Sequence, residues 1–278
     1  MYNDRPVIGI LANYNYTTHK YRVSYSLNYW LKYNKAYTVY INPNSSHKDI
    51  REIYNACDGI VIPGGDDVPI DTNIVYRTFL YIMYLWHKNK KPILGICLGL
   101  QFMTTYFSGM WWENIHSVVE NINTINGEDV GNMCSLKIIN HQSFLVDIKK
   151  NYLEKKNQYF VHHFAIPISI YNKALAYKFT LLSTTTHNNI EFVSSLYSED
   201  DIFLTQWHPE KPIKELTSEI MPNKKEAIFI GNKLARFFIN KCINNSNTSK
   251  LILKIYDVDN LKLFHNGNNN ISSIEYVL

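Results

Sequence analysis

The residue best placed for covalent chemistry is Cys97, within Gly95-Ile96-Cys97-Leu98-Gly99. This segment joins a strand-like run to a helix-like run, with the spacing of a nucleophile elbow in which cysteine replaces serine. Such a turn exposes the thiol at the carboxyl end of a sheet, where the dipole of the following helix favours the thiolate. The Leu98 backbone N–H then serves as an oxyanion donor. A buried structural cysteine is the alternative, and the pentapeptide alone leaves both open.

A second candidate group is Gln206-Trp207-His208-Pro209-Glu210, which follows another strand-like run. A thiolate that transfers an acyl group needs a base that also protonates the leaving amine. It also needs a third group that holds the base in the correct tautomer. His208 and Glu210 can supply both from one strand end. An exposed loop histidine is the ordinary alternative, but the combination with Cys97 is much rarer than either part.

A third candidate is the turn Pro63-Gly64-Gly65, at the end of a predicted strand. Two glycines let the backbone approach a ligand closely and turn its N–H groups outward. In a parallel sheet this turn and Cys97 lie at the same carboxyl edge, where ligands bind. We therefore predict Gly64 and Gly65 as a further source of oxyanion N–H groups, with a plain tight turn as the alternative.

These groups need a sheet that brings their strand ends together. The first 110 residues alternate apolar strands with helix-like segments, which is typical of a parallel sheet covered on both faces. The predicted strands here are residues 7–11, 37–41, 59–62 and 92–96, and the predicted helices are 24–34, 47–55, 72–88 and 98–107. We expect Ser45 or Ser46 to cap the second helix.

The second half of the chain carries weaker but recognisable patterns. Residues 111–160 are irregular, and then strands are predicted at 179–183, 190–194 and 202–206 and a helix at 225–243. A polar break at 244–247 precedes a tail with strand-like runs at 251–256 and 261–264. Because nucleophile and base come from opposite halves, we predict one catalytic domain over residues 1–244. Residues 245–278 form a C-terminal extension without an assigned function.

Composition excludes several classes of protein. The 28 basic and 24 acidic residues give a net charge of only +4, without the basic patch that nucleic-acid binding requires. The apolar runs fall far short of the about 20 residues that a membrane-spanning helix needs. The four cysteines show no CxxC spacing, which argues against a zinc site and a disulfide framework. No secretory leader precedes the first strand, so we expect a cytoplasmic protein.

The three motifs, in this order and on these strand ends, resemble those of the class I glutamine amidotransferase superfamily. Within it, the sequence is similar to the gamma-glutamyl hydrolases over most of its length. The segments that carry the resemblance are residues 5–11, 26–31, 58–65, 92–99, 182–186, 190–194 and 206–211. The last of these, Gln206-Trp207-His208-Pro209-Glu210-Lys211, is the most specific for hydrolases of this type.

The resemblance implies a flavodoxin-like three-layer α/β/α sandwich with a mostly parallel central sheet. It implies that Cys97 is the nucleophile, His208 the base and acid, and Glu210 the orienting carboxylate of a cysteine-dependent omega-peptidase. The reaction is then cleavage of a γ-glutamyl amide bond through a thioester, with folylpoly-γ-glutamate as one candidate substrate. Within Val161-His162-His163-Phe164-Ala165-Ile166, the same likeness makes His163 a substrate-pocket residue.

The resemblance calls for no metal and no organic cofactor, and for a small γ-glutamyl substrate as the partner. It leaves a homodimer open. Gln101 stands where hydrolases of folate polyglutamates often carry an acidic residue, whereas glutamine amidotransferases and the hydrolase of gamma-glutamyl-GABA use Gln there. Gln101 is therefore a predicted substrate contact. A gamma-glutamyl-GABA hydrolase, a glutaminase subunit that releases ammonia from glutamine, and an inactive binding homologue remain as alternatives.

Overall fold

The computed structural model describes residues 5–15, 19–65, 74–111, 114, 117–118, 124–125, 128–129, 132–134, 136–140, 158–160, 164–187, 190–216, 221, 223–243, 256–265 and 274–277. In the first 110 residues the strands are Val7–Leu11 (β1), Asn13–Asn15 (β2), Lys20–Ser24 (β3), Tyr37–Ile41 (β4), Gly59–Ile62 (β5) and Ile93–Ile96 (β6). The helices are Tyr25–Tyr33 (α1), His47–Ala56 (α2), Ile74–Lys88 (α3) and Leu98–Ser108 (α4).

The middle of the chain contributes short strands. They are Ser117–Val118 (β7), Thr124–Ile125 (β8), Glu128–Asp129 (β9), Asn132–Cys134 (β10), Lys137–Ile138 (β11), Gln158–Phe160 (β12) and Phe164–Ala165 (β13). Longer elements follow: Ile168–Ala174 (α5), Thr180–His187 (β14), Ile190–Ser198 (β15), Ile202–Thr205 (β16), Lys211–Lys214 (α6) and Lys224–Ile243 (α7). The C-terminal part contains a 3-10 helix at Val258–Asn260 and the strands Lys262–His265 (β17) and Ile274–Val277 (β18).

One eight-stranded sheet organises the molecule, in the order β11-β14-β15-β16-β6-β5-β1-β4. The five strands from β16 to β4 run parallel. The other three strands form antiparallel pairs: β15 with β16, β14 with β15, and β11 with β14. Since β5, β6 and β16 are adjacent and parallel, the segments that follow them meet at one edge of the sheet, as the sequence predicts.

Helices cover both faces of this sheet. Strand β1 shows the alternation that this requires, because Val7 and Leu11 enter one apolar core while Ile8 and Ile10 enter the other. The first core also takes side chains from α2, α3, α4 and α5, and the second takes them from α1 and α7. The predicted flavodoxin-like three-layer α/β/α sandwich is thus confirmed.

The predicted elements of the first half agree with the structure to within one or two residues at most ends. Ser46 caps α2, because its hydroxyl accepts a hydrogen bond from the Asp49 backbone N–H at 3.2 Å. Strands β2 and β3 and helix α5 were not predicted. Residues 72–73 of the third predicted helix and 251–255 of the predicted tail strand lie outside the described residues. None of the described helices has the length and apolarity needed to cross a membrane.

A second sheet, in the order β17-β18-β3-β2, lies beside the central one. Two of its strands come from the C-terminal extension, and β18 pairs antiparallel with β3. The 3-10 helix of the extension is fixed to α1. Lys32 Nζ donates to Asp257 Oδ1 at 3.1 Å, and Asn28 Nδ2 donates to Asp259 Oδ1 at 3.0 Å. Val258 between them is fully buried in the second core.

Candidate active site

Cys97 occupies a sharp turn between β6 and α4. Its φ of 51° and ψ of −104° place a non-glycine residue in a strained part of backbone space, a feature typical of functional turns. The turn is held from both sides: the Cys97 N–H donates to the Thr205 carbonyl of β16 at 2.7 Å, and the Cys97 carbonyl accepts from Gln101 N–H at 3.1 Å. The Cys97 residue is only 4% exposed. The predicted elbow is therefore present at the carboxyl end of β6.

Gly99 has a steric reason to be glycine. A Cβ atom built on Gly99 would lie 2.0 Å from the carbonyl oxygen of Ile62, the last residue of β5. Backbone oxygen cannot move aside as a flexible side chain can, so the start of α4 can pack this tightly against β5 only without a side chain here. This close approach brings Cys97 next to the turn that follows β5.

The imidazole of His208 lies between the thiol and a carboxylate. His208 Nδ1 is hydrogen-bonded to Glu210 Oε1 at 2.8 Å, and the ring is also hydrogen-bonded to the Cys97 side chain. With Glu210 on Nδ1, Nε2 is the ring nitrogen left to exchange a proton with the thiol. Both His208 and Glu210 are buried. The structure thus joins the three predicted groups in one hydrogen-bonded series, thiol to imidazole to carboxylate.

The charge state of His208 follows from this position. Burial alone lowers the pKa of an imidazole, but the negative charges of Glu210 and Cys97 and the hydrogen bonds to both outweigh burial. Together they raise the pKa of His208 to about 9. The ring is therefore an imidazolium at neutral pH, and it holds a proton next to the sulfur of Cys97.

Several contacts hold the segment that carries His208. The backbone N–H of His208 donates to the Tyr159 carbonyl at 2.9 Å, and Trp207 Nε1 donates to Ser195 Oγ at 3.0 Å. On the other side, helix α7 approaches so closely that a Cβ atom on Gly231 would lie 2.4 Å from the Pro209 carbonyl oxygen. These supports come from β12, β15 and α7, three elements distant in sequence, and they fix the imidazole relative to Cys97.

The glycine turn after β5 lies against the same pair. A Cβ atom on Gly64 would lie 2.6 Å from His208 Cε1 and 3.2 Å from Cys97 Cβ. The backbone of Gly64 therefore borders the place where a group attached to Cys97 would sit. The sequence predicts that this turn and Cys97 follow neighbouring strands. They do, since β5 pairs with β6 through Ile62 and Gly95.

Gln206 is a site residue to which sequence reasoning gave no role. Its side chain is buried, and Nε2 lies 3.6 Å from Cys97 Sγ in hydrogen-bonding geometry. Its Oε1 is buried without a hydrogen-bond partner among the described residues. The only sequence signal was its place in the segment before His208. An amide donor beside sulfur stabilises a thiolate, since hydrogen bonds to the charged form favour that form.

The two remaining predicted side chains have different outcomes. Gln101 is fully buried, and its Nε2 donates to the Phe164 carbonyl at 3.0 Å, so its amide holds the start of β13. Its role as a substrate contact stays a prediction. His163, directly before Phe164, lies outside the described residues. Leu98 begins α4 directly after Cys97, as the elbow requires.

A buried ion pair lies behind the catalytic edge. Lys211 Nζ contacts Glu215 Oε2 at 2.8 Å, and Glu215 Oε1 accepts hydrogen bonds from Ser26 Oγ and from Ser24 Oγ. Burial disfavours the charged form of both groups, but the attraction between them is the larger effect. The carboxylates of Glu215 and Glu210 raise the pKa of Lys211, and Lys211 lowers the pKa of Glu215. This pair ties the segment after Glu210 to β3 and α1.

In the described part of the chain, no group of three or more His, Cys, Asp or Glu side chains is arranged to hold a metal ion. The arrangement of Cys97, His208 and Glu210 suits acyl transfer. A sulfur nucleophile, a charged imidazole beside it and an orienting carboxylate are the parts that nucleophilic catalysis on an amide requires.

Comparison with known proteins identifies relatives of this chain by sequence and by fold. A family model described as glutamine amidotransferase class-I matches residues 19–227. Gamma-glutamyl hydrolase B of Dictyostelium discoideum is 27% identical, with 86% of this chain and 72% of that protein covered. Human gamma-glutamyl hydrolase is 24% identical, with 88% and 80% covered. The glutaminase domain of CTPS from Trypanosoma brucei, with bound acivicin, shares the fold at a TM-score of 0.54 and 14% identity, with 82% and 94% covered.

Proposed function

The chain belongs to the class I glutamine amidotransferase family, and we propose that it is a cysteine-dependent hydrolase of γ-glutamyl amide bonds. The observation that carries the proposal is the hydrogen-bonded series of Cys97, His208 and Glu210. The gamma-glutamyl hydrolases among its relatives support the choice of bond, since they cover most of the chain.

The first half-reaction forms a thioester. The Cys97 sulfur attacks the γ-carbonyl carbon of the substrate, and the carbonyl oxygen takes the electron pair. The imidazolium of His208 then gives its proton to the amide nitrogen as the carbon–nitrogen bond breaks. The amine leaves, the γ-glutamyl group remains on sulfur, and His208 becomes neutral.

The second half-reaction releases the acyl group. Neutral His208 takes a proton from water, whose oxygen attacks the thioester carbon. The carbon–sulfur bond breaks, and the products are the free γ-carboxylic acid, the thiolate of Cys97 and the imidazolium of His208. The carboxylic acid then loses its proton to the solvent, which offsets the proton that the released amine takes up. Glu210 keeps the Nδ1 proton in place through both halves, so that Nε2 alone exchanges protons.

Backbone N–H groups stabilise the negative oxygen in this proposal. The N–H of Leu98, directly after the nucleophile, is one donor, and the glycine turn beside Cys97 supplies a second from Gly64 or Gly65. A preorganised donor of this kind is worth about 10²–10³ in rate. Gln206, whose amide lies beside the sulfur, favours the thiolate that starts the reaction and receives it again at the end.

The identity of the leaving amine distinguishes the candidate functions. A glutamate or polyglutamate chain, GABA and ammonia all leave as amines from the same acyl-enzyme. The class of the family, together with Gln101 at the position two beyond Gly99, favours a second candidate: a glutaminase that passes ammonia to a separate synthetase. Parallel assays of a pteroyl-polyglutamate, gamma-glutamyl-GABA and glutamine separate these functions, and a glutaminase subunit would respond to its partner.

The central test is replacement of the nucleophile. Cys97→Ala should reduce turnover of the best substrate by at least about 10⁴-fold, because no other group can form the acyl-enzyme. Cys57→Ala is the matched control. Cys57 is also buried, and burial raises the pKa of its thiol to about 12, so its loss should leave turnover within about twofold. Turnover by a folded Cys97→Ala protein would overturn the proposal.

Covalent labelling is the independent check. Acivicin, an amino acid with an electrophilic ring, should add one adduct to the wild-type chain at Cys97, located by mass spectrometry of peptides. The Cys57→Ala protein should be labelled equally, and the Cys97→Ala protein should not be labelled. A thiol at position 97 that is inert at neutral pH would favour an inactive binding homologue.

A further inference from the structure

Asn13 holds the glycine turn that borders Cys97. Its Nδ2 donates to the Gly64 carbonyl at 2.9 Å, although the two residues are 51 positions apart. Its Oδ1 accepts from the Tyr14 backbone N–H at 3.0 Å, so the amide can present only its NH₂ group to Gly64. Asn13 is buried at 6% exposure. The turn therefore has one fixed carbonyl direction.

The direction of the Gly64 carbonyl also determines the direction of the Gly65 N–H. The peptide unit that joins Gly64 and Gly65 is planar, and the structure contains no cis peptide bond among the described residues. In a trans unit the C=O and the N–H point in opposite directions. Since the Gly64 carbonyl points to Asn13, the Gly65 N–H points away from Asn13.

The two glycines of the turn face different groups. The Cβ position of Gly65 faces the amide of Asn13, where an added carbon would lie 1.5 Å from Nδ2. The Cβ position of Gly64 faces the opposite groups, His208 and Cys97. The turn thus lies between the amide and the catalytic pair, and each glycine leaves room for one of them.

We propose that Asn13 is a positioning residue, which orients the Gly64–Gly65 peptide so that the Gly65 N–H faces the oxyanion formed on Cys97. This inference rests on the proposed function. In this role Asn13 acts through the peptide, by its hydrogen bond to the Gly64 carbonyl. It also lies outside residues 19–227, the span matched by the family model.

The position of Asn13 is itself well supported. It follows β1 at the carboxyl edge, and the preceding Ala12 N–H donates to the Ile41 carbonyl of β4 at 3.0 Å. Asn13 pairs with Arg22 of β3, and β3 pairs in turn with β18 of the C-terminal extension. The amide is therefore carried by a sheet, a rigid support of the kind that a preorganised site needs.

The experiment compares Asn13→Ala and Asn13→Asp with the wild type on the substrate that the wild type turns over best. We expect kcat to fall by about 10- to 100-fold in Asn13→Ala, a part of what one oxyanion donor contributes, with KM within about twofold. Asn13→Asp should lose at least as much, because a carboxylate repels the Gly64 carbonyl. Asn15→Ala, a buried asparagine on the same strand, is the matched control and should keep kcat within about twofold.

Two further readouts separate orientation from general damage. The rate of Cys97 alkylation by iodoacetamide and the Tm should stay close to the wild-type values in at least one Asn13 variant, since alkylation needs no oxyanion donor. Normal kcat in a folded Asn13→Ala protein overturns this proposal alone. Equal losses in kcat, alkylation and Tm in both variants also overturn it, in favour of a structural role. Absence of turnover by the wild type on all three substrates overturns the proposed function, and this role with it.

Discussion

The protonated imidazole of His208 is the positive charge of the site. Its ring is buried, yet it remains protonated at neutral pH because Glu210 and Cys97 flank it. The proton is then in place for the leaving amine before any substrate binds. Glu210 has no other hydrogen-bonding role visible in the described part of the chain, since its second oxygen is buried without a partner there. Of the carboxylates that the structure describes, Glu210 is therefore the one that contacts the ring, and it acts together with Cys97 to keep His208 charged.

Glu210→Gln should change the pH dependence of the reaction. In the wild type, kcat/KM should fall above about pH 9, where His208 loses the proton that acylation needs. The amide removes the negative charge that raises this pKa, so the alkaline fall should begin at least about one pH unit lower. The maximal rate should also drop, by about 10²–10⁴-fold, since the tautomer is no longer held. The profile of kcat/KM between pH 5 and 10 measures both effects.

The control for this profile is Glu191→Gln, which removes an acidic side chain that pairs with Lys137 and accepts from Thr184 and does not contribute to the pKa shift of His208. Its profile should coincide with that of the wild type. An alkaline fall at the same pH in Glu210→Gln would show that another group, not His208, sets it.

Among the elements, the short helix α6 connects the site to the rest of the fold. It begins directly after Glu210, and its Lys211 reaches Glu215, which in turn accepts hydrogen bonds from Ser24 and Ser26 at the start of α1. A helix of four residues has little stability of its own. The buried ion pair and the two serines therefore determine where α6 lies, and with it the segment that carries His208.

Glu215→Gln should destabilise the protein more than loss of an exposed ion pair does. It leaves the Lys211 charge without its carboxylate in a largely buried place. We expect a loss of about 2–3 kcal/mol in the free energy of unfolding, somewhat below the range for fully buried pairs because Lys211 keeps some solvent contact. Glu191→Gln, which breaks the more exposed pair with Lys137, should cost about 0–1 kcal/mol. Urea titrations give both values, and equal losses would contradict this account.

The sequence predicts the local parts of the site and the sheet edge where they meet, but not the contacts that Asn13 and Gln206 make there. The ends of β5, β6 and β16 are encoded by short apolar runs followed by Pro63, Cys97 or Gln206, so the edge that gathers them can be predicted. The contact of Asn13 with Gly64 cannot, because it depends on where a three-residue strand turns after β1. Short strands such as β2 and β12 have too few residues for a periodic pattern, and their pairing is set by the folded sheet.

At the level of the whole molecule, the C-terminal extension joins the catalytic body through a continuous sheet and a buried apolar contact. Strand β18 pairs with β3, which pairs with β2 and so reaches Asn13. Val258 enters the second core, where it shares a cluster with Trp30 and Phe238 of the two helices on that face. We therefore propose that the described part of the C-terminal extension, residues 256–265 and 274–277, folds together with the catalytic body as one cooperative unit, although it stands apart in the sequence.

Val258→Ala tests this cooperativity. Val258 is fully buried, and truncation removes two carbons at about 0.8 kcal/mol each, plus the cost of the cavity, so the free energy of unfolding should fall by about 2 kcal/mol. Asp259→Asn is the control on the same turn. It weakens the exposed ion pair with Lys32 and keeps an oxygen that can accept from Asn28, so it should cost at most about 1 kcal/mol. In urea, tryptophan fluorescence and circular dichroism should give one shared midpoint, lowered in Val258→Ala with an unchanged slope.

If the extension folded separately, the main unfolding midpoint would stay at its wild-type value, because the buried tryptophans of the body would not sense the change. A shifted midpoint instead means that the strand supporting Asn13 and the core beneath the catalytic edge unfold together, so that damage to the extension reaches the site through β3.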